Sequence, residues 1–213
     1  MNIEKKNYKK KLYKGSMIII SSPSGAGKTS LCKKISSIDS NINLSISYTT
    51  REKRKSEIDG IDYIFIDDKK FKYMKRNDLL LESAVVFGNN YGTPLKDIIK
   101  IIKSGKDVLF DIDWQGAQQI RKKFPEHIID FFIMPPSILE LRKRLLKRGQ
   151  DKINIVNKRM KMAFTEMNHY KEYKYVLIND NFKKTVKKIQ TIIQSERSQK
   201  LNIIQIKKNF KNL

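Results

Sequence analysis

Lys28 and Thr29 close the stretch Met17-Ile-Ile-Ile-Ser-Ser22-Pro-Ser24-Gly25-Ala26-Gly27-Lys28-Thr29-Ser30, in which four apolar residues run through a glycine turn into a helical pattern. Such a loop can cradle the phosphates of a nucleoside triphosphate. Gly25 and Gly27 permit turns that a side chain would obstruct, so successive N–H groups can point inward at phosphate oxygens. A helix opening near Lys28 adds its positive end. The lysine then supplies a mobile charge toward the β- and γ-phosphates, and the Thr29 hydroxyl is a natural ligand for Mg²⁺. Ser24 to Ser30 form the expected donor-binding set. One departure stands out: Ser22 replaces the first glycine of the phosphate-loop pattern.

Two further groups of residues could act with this loop. In Ser45-Ile-Ser47-Tyr-Thr-Thr-Arg51-Glu-Lys-Arg54, which follows a strand signal, Arg51 and Arg54 lie three apart with Tyr63 beyond them. Guanidinium groups so placed can fork onto the oxygens of a second phosphate. Later, Asp107-Val-Leu-Phe-Asp111-Ile-Asp113-Trp-Gln-Gly116 ends an apolar strand in two carboxylates of the same facing. Asp111 is placed to hold Mg²⁺ through its water shell. Asp113 fits a helix cap as well as it fits any site role. Glu82, in an apolar run, fits either a binding pocket or the outer face of an alternating strand.

The elements that must position these groups alternate along the chain. Strand signals fall at Met17 to Ser21, Asn43 to Ser47, Tyr63 to Ile66, Leu79 to Phe87, Asp107 to Ile112, Ile128 to Met134 and Tyr175 to Ile178. Helical patterns fill most gaps. Thr93-Pro94 reads as a cap followed by proline at the first helical position, with Gly105 ending that helix. Ser137 to Glu140 has capping-box spacing, with Ile138, Leu141 and Leu145 on one face and Gly149 closing the helix. From Phe182 a long helix carries Val186, Ile189 and Ile193 as its apolar stripe. Apolar strands alternating with helices predict the α/β class: a parallel sheet covered on both faces, with ligands at the strands' carboxyl ends.

Composition bounds the functional classes. At 213 residues the chain can bury a substantial core as one domain. Its longest apolar runs are too short to cross a bilayer, and the lysine-rich segment Met1 to Lys14 lacks the apolar block of a secretory signal. Cys32 is a single cysteine, and His127 and His169 stand far apart, so neither a disulfide nor a zinc site is expected. Cys32 should pack as a small apolar residue in a protein of a reducing, cytoplasmic compartment. The net charge of +23 suits a nucleic-acid binder, yet the lysines are spread over the whole chain. Solvated lysine faces are the expectation, with no obligatory nucleic-acid or membrane partner.

The chain resembles the guanylate kinases from about Met17 to Gln194. The resemblance rests on Ser24-Gly-Ala-Gly-Lys28, Ser47-Tyr-Thr-Thr-Arg51, Phe87-Gly-Asn-Asn-Tyr91-Gly-Thr93, Asp111-Ile-Asp-Trp-Gln-Gly-Ala-Gln-Gln119, Pro135-Pro-Ser137, Arg148-Gly-Gln-Asp151 and Ile178-Asn-Asp180. It implies a P-loop NTPase-type α/β fold and transfer of the γ-phosphoryl of ATP to GMP, and by extension dGMP, with Mg²⁺. It also implies a kinase domain over 17–196, with a monophosphate-binding region near 48–98 and a lid near 146–166, between a basic extension over 1–16 and a basic helix end over 197–213. By motif position Ser47, Glu82, Thr93 and Asp113 would contact guanine, and Arg51, Arg54, Tyr63 and Tyr91 would hold the GMP phosphate. Arg144, Arg148 and Arg159 would gather around the transferring group with Lys28 and Arg51, and Asn179 would meet adenine.

Residue chemistry agrees. Guanine offers adjacent N1–H and N2–H donors that one carboxylate can accept, whereas adenine would leave such a carboxylate poorly paired. The acceptor loop departs from the family pattern, with Lys53 for its proline and Ser56 for its glycine; Asn181 replaces an aspartate often found after Asn179-Asp180. Two rivals are a scaffold module that keeps the shape without catalysis and a nucleic-acid binder. Retention of Gly27, Lys28, Thr29 and Asp111 speaks against the first.

Overall fold

The computed structural model describes residues 14–147 and 153–209. Five strands form an all-parallel sheet in the order β2-β7-β1-β8-β9, where β1 is Met17–Ser21, β2 Ile42–Leu44, β7 Asp107–Asp111, β8 Ile128–Met134 and β9 Tyr175–Ile178. Alternation along β1 explains why every residue in it is apolar or buried. Met17 and Ile19 face one layer with Val108 and Phe110, and Ile18 and Ile20 face the other with Leu109 and Phe131. Helix α1 (Lys28–Ile38) covers the second layer with Leu31, Cys32 and Ile35, and α7 (Phe182–Asn209) adds Val186, Ile189 and Ile193. Helices α3 (Leu95–Lys103) and α4 (Trp114–Lys123) cover the first through Ile98, Ile102, Ala117 and Ile120. Cys32 is fully buried there, as its apolar surroundings in the sequence suggest.

A second sheet, of four strands, is inserted between β2 and α3. Its order is β4-β3-β6-β5, with β3 at Tyr48–Thr49, β4 at Ile64–Phe65, β5 at Leu80–Val86 and β6 at Asn89–Pro94; α2 (Asp68–Arg76) packs on it through Phe71 and Met74. Three sequence expectations change here. The single strand signal over Asn43 to Ser47 divides: β2 ends at Leu44 in the first sheet, and β3 begins at Tyr48 in the second. Thr93-Pro94 is the end of β6, so Pro94 is the flanking residue before α3 rather than its first turn. Pairing of Thr93 with Glu82 across the hairpin overrides the local cap signal, and the proline sits where the strand ends and its missing N–H matters least. Phe87 belongs to the β5–β6 turn, where it takes φ +51 beside Gly88 at φ +80, the paired positive angles of a tight two-residue hairpin.

Helices α5 (Ile138–Lys147) and α6 (Ile153–Met167) pack together through Leu141, Leu145, Val156 and Ala163. Half of the capping box at Ser137 forms, with Glu140 N–H donating to Ser137 Oγ at 3.1 Å, while the Glu140 carboxylate turns to Arg144 at 2.9 Å. Ile138 is exposed, unlike Leu141 and Leu145. Gly149 and Arg148 lie outside the described residues.

Helix α7 reaches beyond its apolar stripe. Arg197 donates from Nε to Asp107 Oδ2 and from Nη1 to Asp39 Oδ2, both at 2.7 Å, and Lys200 Nζ reaches Gly15 O at 2.7 Å. Asp107 is 2% exposed and also accepts from Ser16 N–H, so this arginine neutralises a carboxylate at the amino end of the central sheet. Among the described residues no helix is long and apolar enough to cross a membrane.

Candidate active site

The phosphate loop leaves the carboxyl end of β1 and enters α1 at Lys28. Gly25 and Gly27 both stand at φ +94, a left-handed conformation that the two glycines supply without strain. Lys28 Nζ lies 3.1 Å from Asp111 Oδ1 and donates to Ile112 O at 2.9 Å. Burial works against its charge, but Asp111, with Asp113 and Tyr63 farther off, holds the ammonium's pKa above its ordinary value. The lysine therefore stays charged at neutral pH. Thr29 and Ser30 are exposed on the first turn of α1. A hydroxyl and a strand-end carboxylate are hard oxygen donors, the kind Mg²⁺ takes alongside substrate phosphates.

Beside the loop lies a cluster of basic and aromatic side chains. Arg51 Nη2 donates to both oxygens of Glu57 at 2.7 and 3.0 Å, and its Nε donates to Tyr91 Oη at 3.2 Å. The guanidinium also lies 5.6 Å from the centre of the Tyr63 ring, which meets Tyr91 edge-on. Arg54 N–H donates to the same Glu57 carboxylate at 2.9 Å, while its side chain remains half exposed. Burial works against the Glu57 charge, yet Arg51 and the Arg54 amide hold its carboxyl below the usual range. Tyr63 is also within electrostatic reach of Asp111 and Lys28. Burial pushes its hydroxyl up to about 12, with the negative Asp111 adding to the rise and Lys28 opposing it.

A hydrogen-bonded line of Ser47, Thr93 and Glu82 forms the third part. The antiparallel register of β3 and β6, which pairs Tyr48 with Gly92, sets Ser47 opposite Thr93, and that of β5 and β6 sets Glu82 opposite Thr93. Ser47 Oγ and Thr93 Oγ1 are 3.1 Å apart, and Thr93 Oγ1 donates to Glu82 Oε1 at 2.6 Å. A register shift between Leu80 and Glu82 breaks the alternation of β5, so Leu81 joins the main core and Glu82, 3% exposed, turns to the site. Burial pushes the Glu82 carboxyl up to about 7; the Thr93 hydroxyl pulls it down, and the charge of Asp113 adds to the rise. Asp113 caps α4, accepting from Gly116 N–H at 3.0 Å and from Gln115 Nε2 at 2.9 Å.

These three parts come from widely separated segments, and the comparison with known proteins bears on all of them at once. A family model described as guanylate kinase matches residues 14–196. The chain belongs to the guanylate kinase family. A guanylate kinase of Haemophilus influenzae (strain 86-028NP) is 48% identical over 186 residues, covering 86% of this chain and 89% of that protein. One from Rickettsia prowazekii (strain Madrid E) is 48% identical over 87% of this chain and 93% of its own length. The crystal structure of guanylate kinase from Anaplasma phagocytophilum superposes with a TM-score of 0.72 at 36% identity, covering 86% of each chain. The parallel α/β sheet expected from the strand pattern and the P-loop NTPase-type fold implied by the resemblance are both shown.

The other residues that the resemblance assigns to the site lie on α5, on α6 and just after β9. Asn179 is 5% exposed and donates from Nδ2 to Ala26 O at 3.0 Å, so in this arrangement it braces the loop from behind. Arg144 bonds Glu140 and, at 3.4 Å, the Asn179 carbonyl. Arg159, on α6, places its guanidinium 5.5 Å from the centre of the Phe87 ring in the β5–β6 turn.

Several functional candidates escaped the sequence reading. Glu57 carries no signal of its own in the sequence, yet it aligns Arg51 and the Arg54 backbone. Gln119 clasps β5 through both its amide atoms, accepting from Ser83 N–H at 3.0 Å and donating to Ser83 O at 2.7 Å, next to Glu82. Gly116 lies so close that a Cβ there would stand 2.7 Å from Glu82 Oε2. A glycine in the first turn of a helix is a costly choice, which was the available signal. Replacing it tests the packing: Gly116→Ala should raise KM for GMP roughly tenfold by displacing Glu82, leaving KM for ATP unchanged, as read from initial rates with each substrate varied.

Proposed function

We propose that Lys28, the phosphate-loop amides and Mg²⁺ hold ATP while Arg51, Arg54, Tyr63 and Tyr91 hold the acceptor phosphate, and that dGMP serves as a second acceptor beside GMP. The chain is an ATP:GMP phosphotransferase, yielding ADP and GDP. The observation that carries the division of roles is the position of Tyr63, which faces Arg51 on one side and feels Lys28 and Asp111 on the other. Acceptor-binding and donor-binding groups thus share one wall.

No dedicated base is required. A phosphate monoester has a second pKa of about 6, so the acceptor oxygen is already ionised at neutral pH. What the chain must supply is alignment and positive charge. Lys28 faces the charge that builds on the donor's bridging oxygen, Arg51 and Arg54 offset the acceptor's charge, and Arg144 and Arg159 add theirs from α5 and α6. Thr29, and Asp111 through water, would hold Mg²⁺, which would supply positive charge to offset that of the donor's phosphates. Glu82 accepts from guanine N1–H and N2–H while the Ser47 and Thr93 hydroxyls and Asp113 complete the base pocket. Asn179 lies next to the loop that would hold the adenosine phosphates. Arg148 lies outside the described residues.

A coupled assay for ADP release, run with GMP, dGMP, AMP, CMP and UMP, tests this reading. Turnover is expected with GMP and dGMP alone; ADP release with none of the five would overturn it. A cytoplasmic enzyme using two nucleotides, without nucleic acid or membrane, is the setting that fits these roles.

A further inference from the structure

Glu166 presents a carboxylate to a loop built for anions. From the last turn of α6 its Oε2 accepts from Ser24 N–H at 2.9 Å, so one amide of the phosphate loop is already bonded to an oxygen supplied by the chain itself. Other contacts seat the α5–α6 pair on the same loop. Leu141 and Leu145 pack so tightly on Gly25 that a Cβ there would meet them at 3.0 to 3.1 Å. Arg144 reaches the Asn179 carbonyl, and the Asn179 amide reaches Ala26 O. Glu166 and Arg159 are seven residues apart on α6, about two turns, so both project from one face. Just beyond α6, His169 stacks on Trp114 with ring centres 3.7 Å apart and planes 9° apart, and Trp114 opens the helix that Asp113 caps.

We propose that Glu166 is a positioning residue for phosphoryl transfer: its bond to Ser24 N–H fixes where α6 rests on the phosphate loop and therefore where Arg159 is directed. This rests on the reading that the loop holds ATP and that Arg159 serves the transferring group. Nothing in the reaction requires Glu166 to touch substrate. Its oxygen matters as an acceptor of fixed reach, and its charge is incidental, since negative charge beside a triphosphate is repulsive.

Three variants separate these properties. Glu166→Gln keeps the acceptor oxygen and removes the charge; Glu166→Asp keeps the charge and shortens the reach; Glu166→Ala removes both. The glutamine variant should turn over within about twofold of the parent, whereas the aspartate and alanine variants should lose about tenfold in kcat, as one hydrogen bond implies, with KM for GMP unchanged. Trp114, the single tryptophan of the chain, supplies a second reading. Adding a non-hydrolysable ATP analogue should change its emission in the parent and in Glu166→Gln, because the loop carries α6 and His169 with it. That response should vanish in Glu166→Asp even where calorimetry shows the analogue bound.

Equal kcat and equal emission changes in parent and Glu166→Asp would overturn the proposal. So would a Glu166→Gln variant as impaired as Glu166→Ala, which would assign the effect to charge. Should the alanine variant fail to fold, the aspartate and glutamine pair decides alone. A parent that turns over GMP while all variants match it defeats only the role of Glu166; a parent silent with GMP defeats the functional reading itself.

Discussion

Replacing Lys28 by methionine should lower kcat for GMP phosphorylation about a thousandfold, with the fold intact. The ammonium is the only cation on the described phosphate loop, and its pairing with Asp111 keeps it charged and pointed along the carboxyl end of the sheet. Its contribution grows as charge moves onto the donor's bridging oxygen, so the loss should fall on kcat more than on KM for ATP. Asp111 keeps access to water, being 18% exposed, so its carboxylate can be rehydrated once the lysine is gone. The melting temperature should therefore change little. Steady-state rates and a thermal melt on the same sample check both halves. Retained turnover would show that the loop's amides and the arginines suffice.

The second large effect runs in opposite directions for activity and stability. Glu82→Gln should cut kcat/KM for GMP about a thousandfold, because the amide presents an N–H₂ where guanine presents donors of its own. The same substitution should make the folded chain more stable at pH 8. Burial raises the Glu82 carboxyl from its ordinary value of 4.5 to about 7, so between those two values the folded chain holds a proton that the unfolded chain has released. Stability then declines as pH rises through that window and stays reduced above it, by about 3 kcal/mol at most. Glutamine escapes this penalty and can still accept from Thr93. Urea titrations at pH 8 should favour the variant by about 1 to 3 kcal/mol, with the difference shrinking toward pH 4.5. Binding of GMP to the parent should weaken below about pH 7, where Glu82 gains its proton. Equal stability of parent and variant across the range would mean that Glu82 is ionised in the folded chain without cost.

Part of this was legible in the residues alone. The phosphate loop announced itself because apolar β1, Gly25, Gly27 and Lys28 must be contiguous for the chemistry to work. The parallel sheet was legible because strands buried on both faces read as unbroken apolar runs, as Met17 to Ile20 and Phe131 to Ile133 do. The inserted sheet was harder. Strand β6, Asn-Asn-Tyr-Gly-Thr-Pro, has no alternation to reveal it, and it is held by pairing with β3 and β5 rather than by its own propensity. Its Thr-Pro end imitates a helix start. Glu82 could be placed in a strand but not assigned to a face, because a register shift reverses the alternation just before it. Gln119 and Glu166 were invisible for a different reason: each acts on backbone that only the folded chain brings near, 36 and 142 residues away. Glu57 acts within its own loop, on Arg51 and the Arg54 amide, in a stretch with no periodicity to mark it.

The anchoring of α7 bears on how the molecule can be shortened. The family match stops at residue 196, one position before Arg197, and three residues farther on Lys200 closes over Gly15 and Ser16. Trimming the gene at the edge of recognised homology would strand Asp107 in the interior with no counter-ion, at the opposite end of the strand that delivers Asp111. Expression designs should run at least one helical turn past that edge.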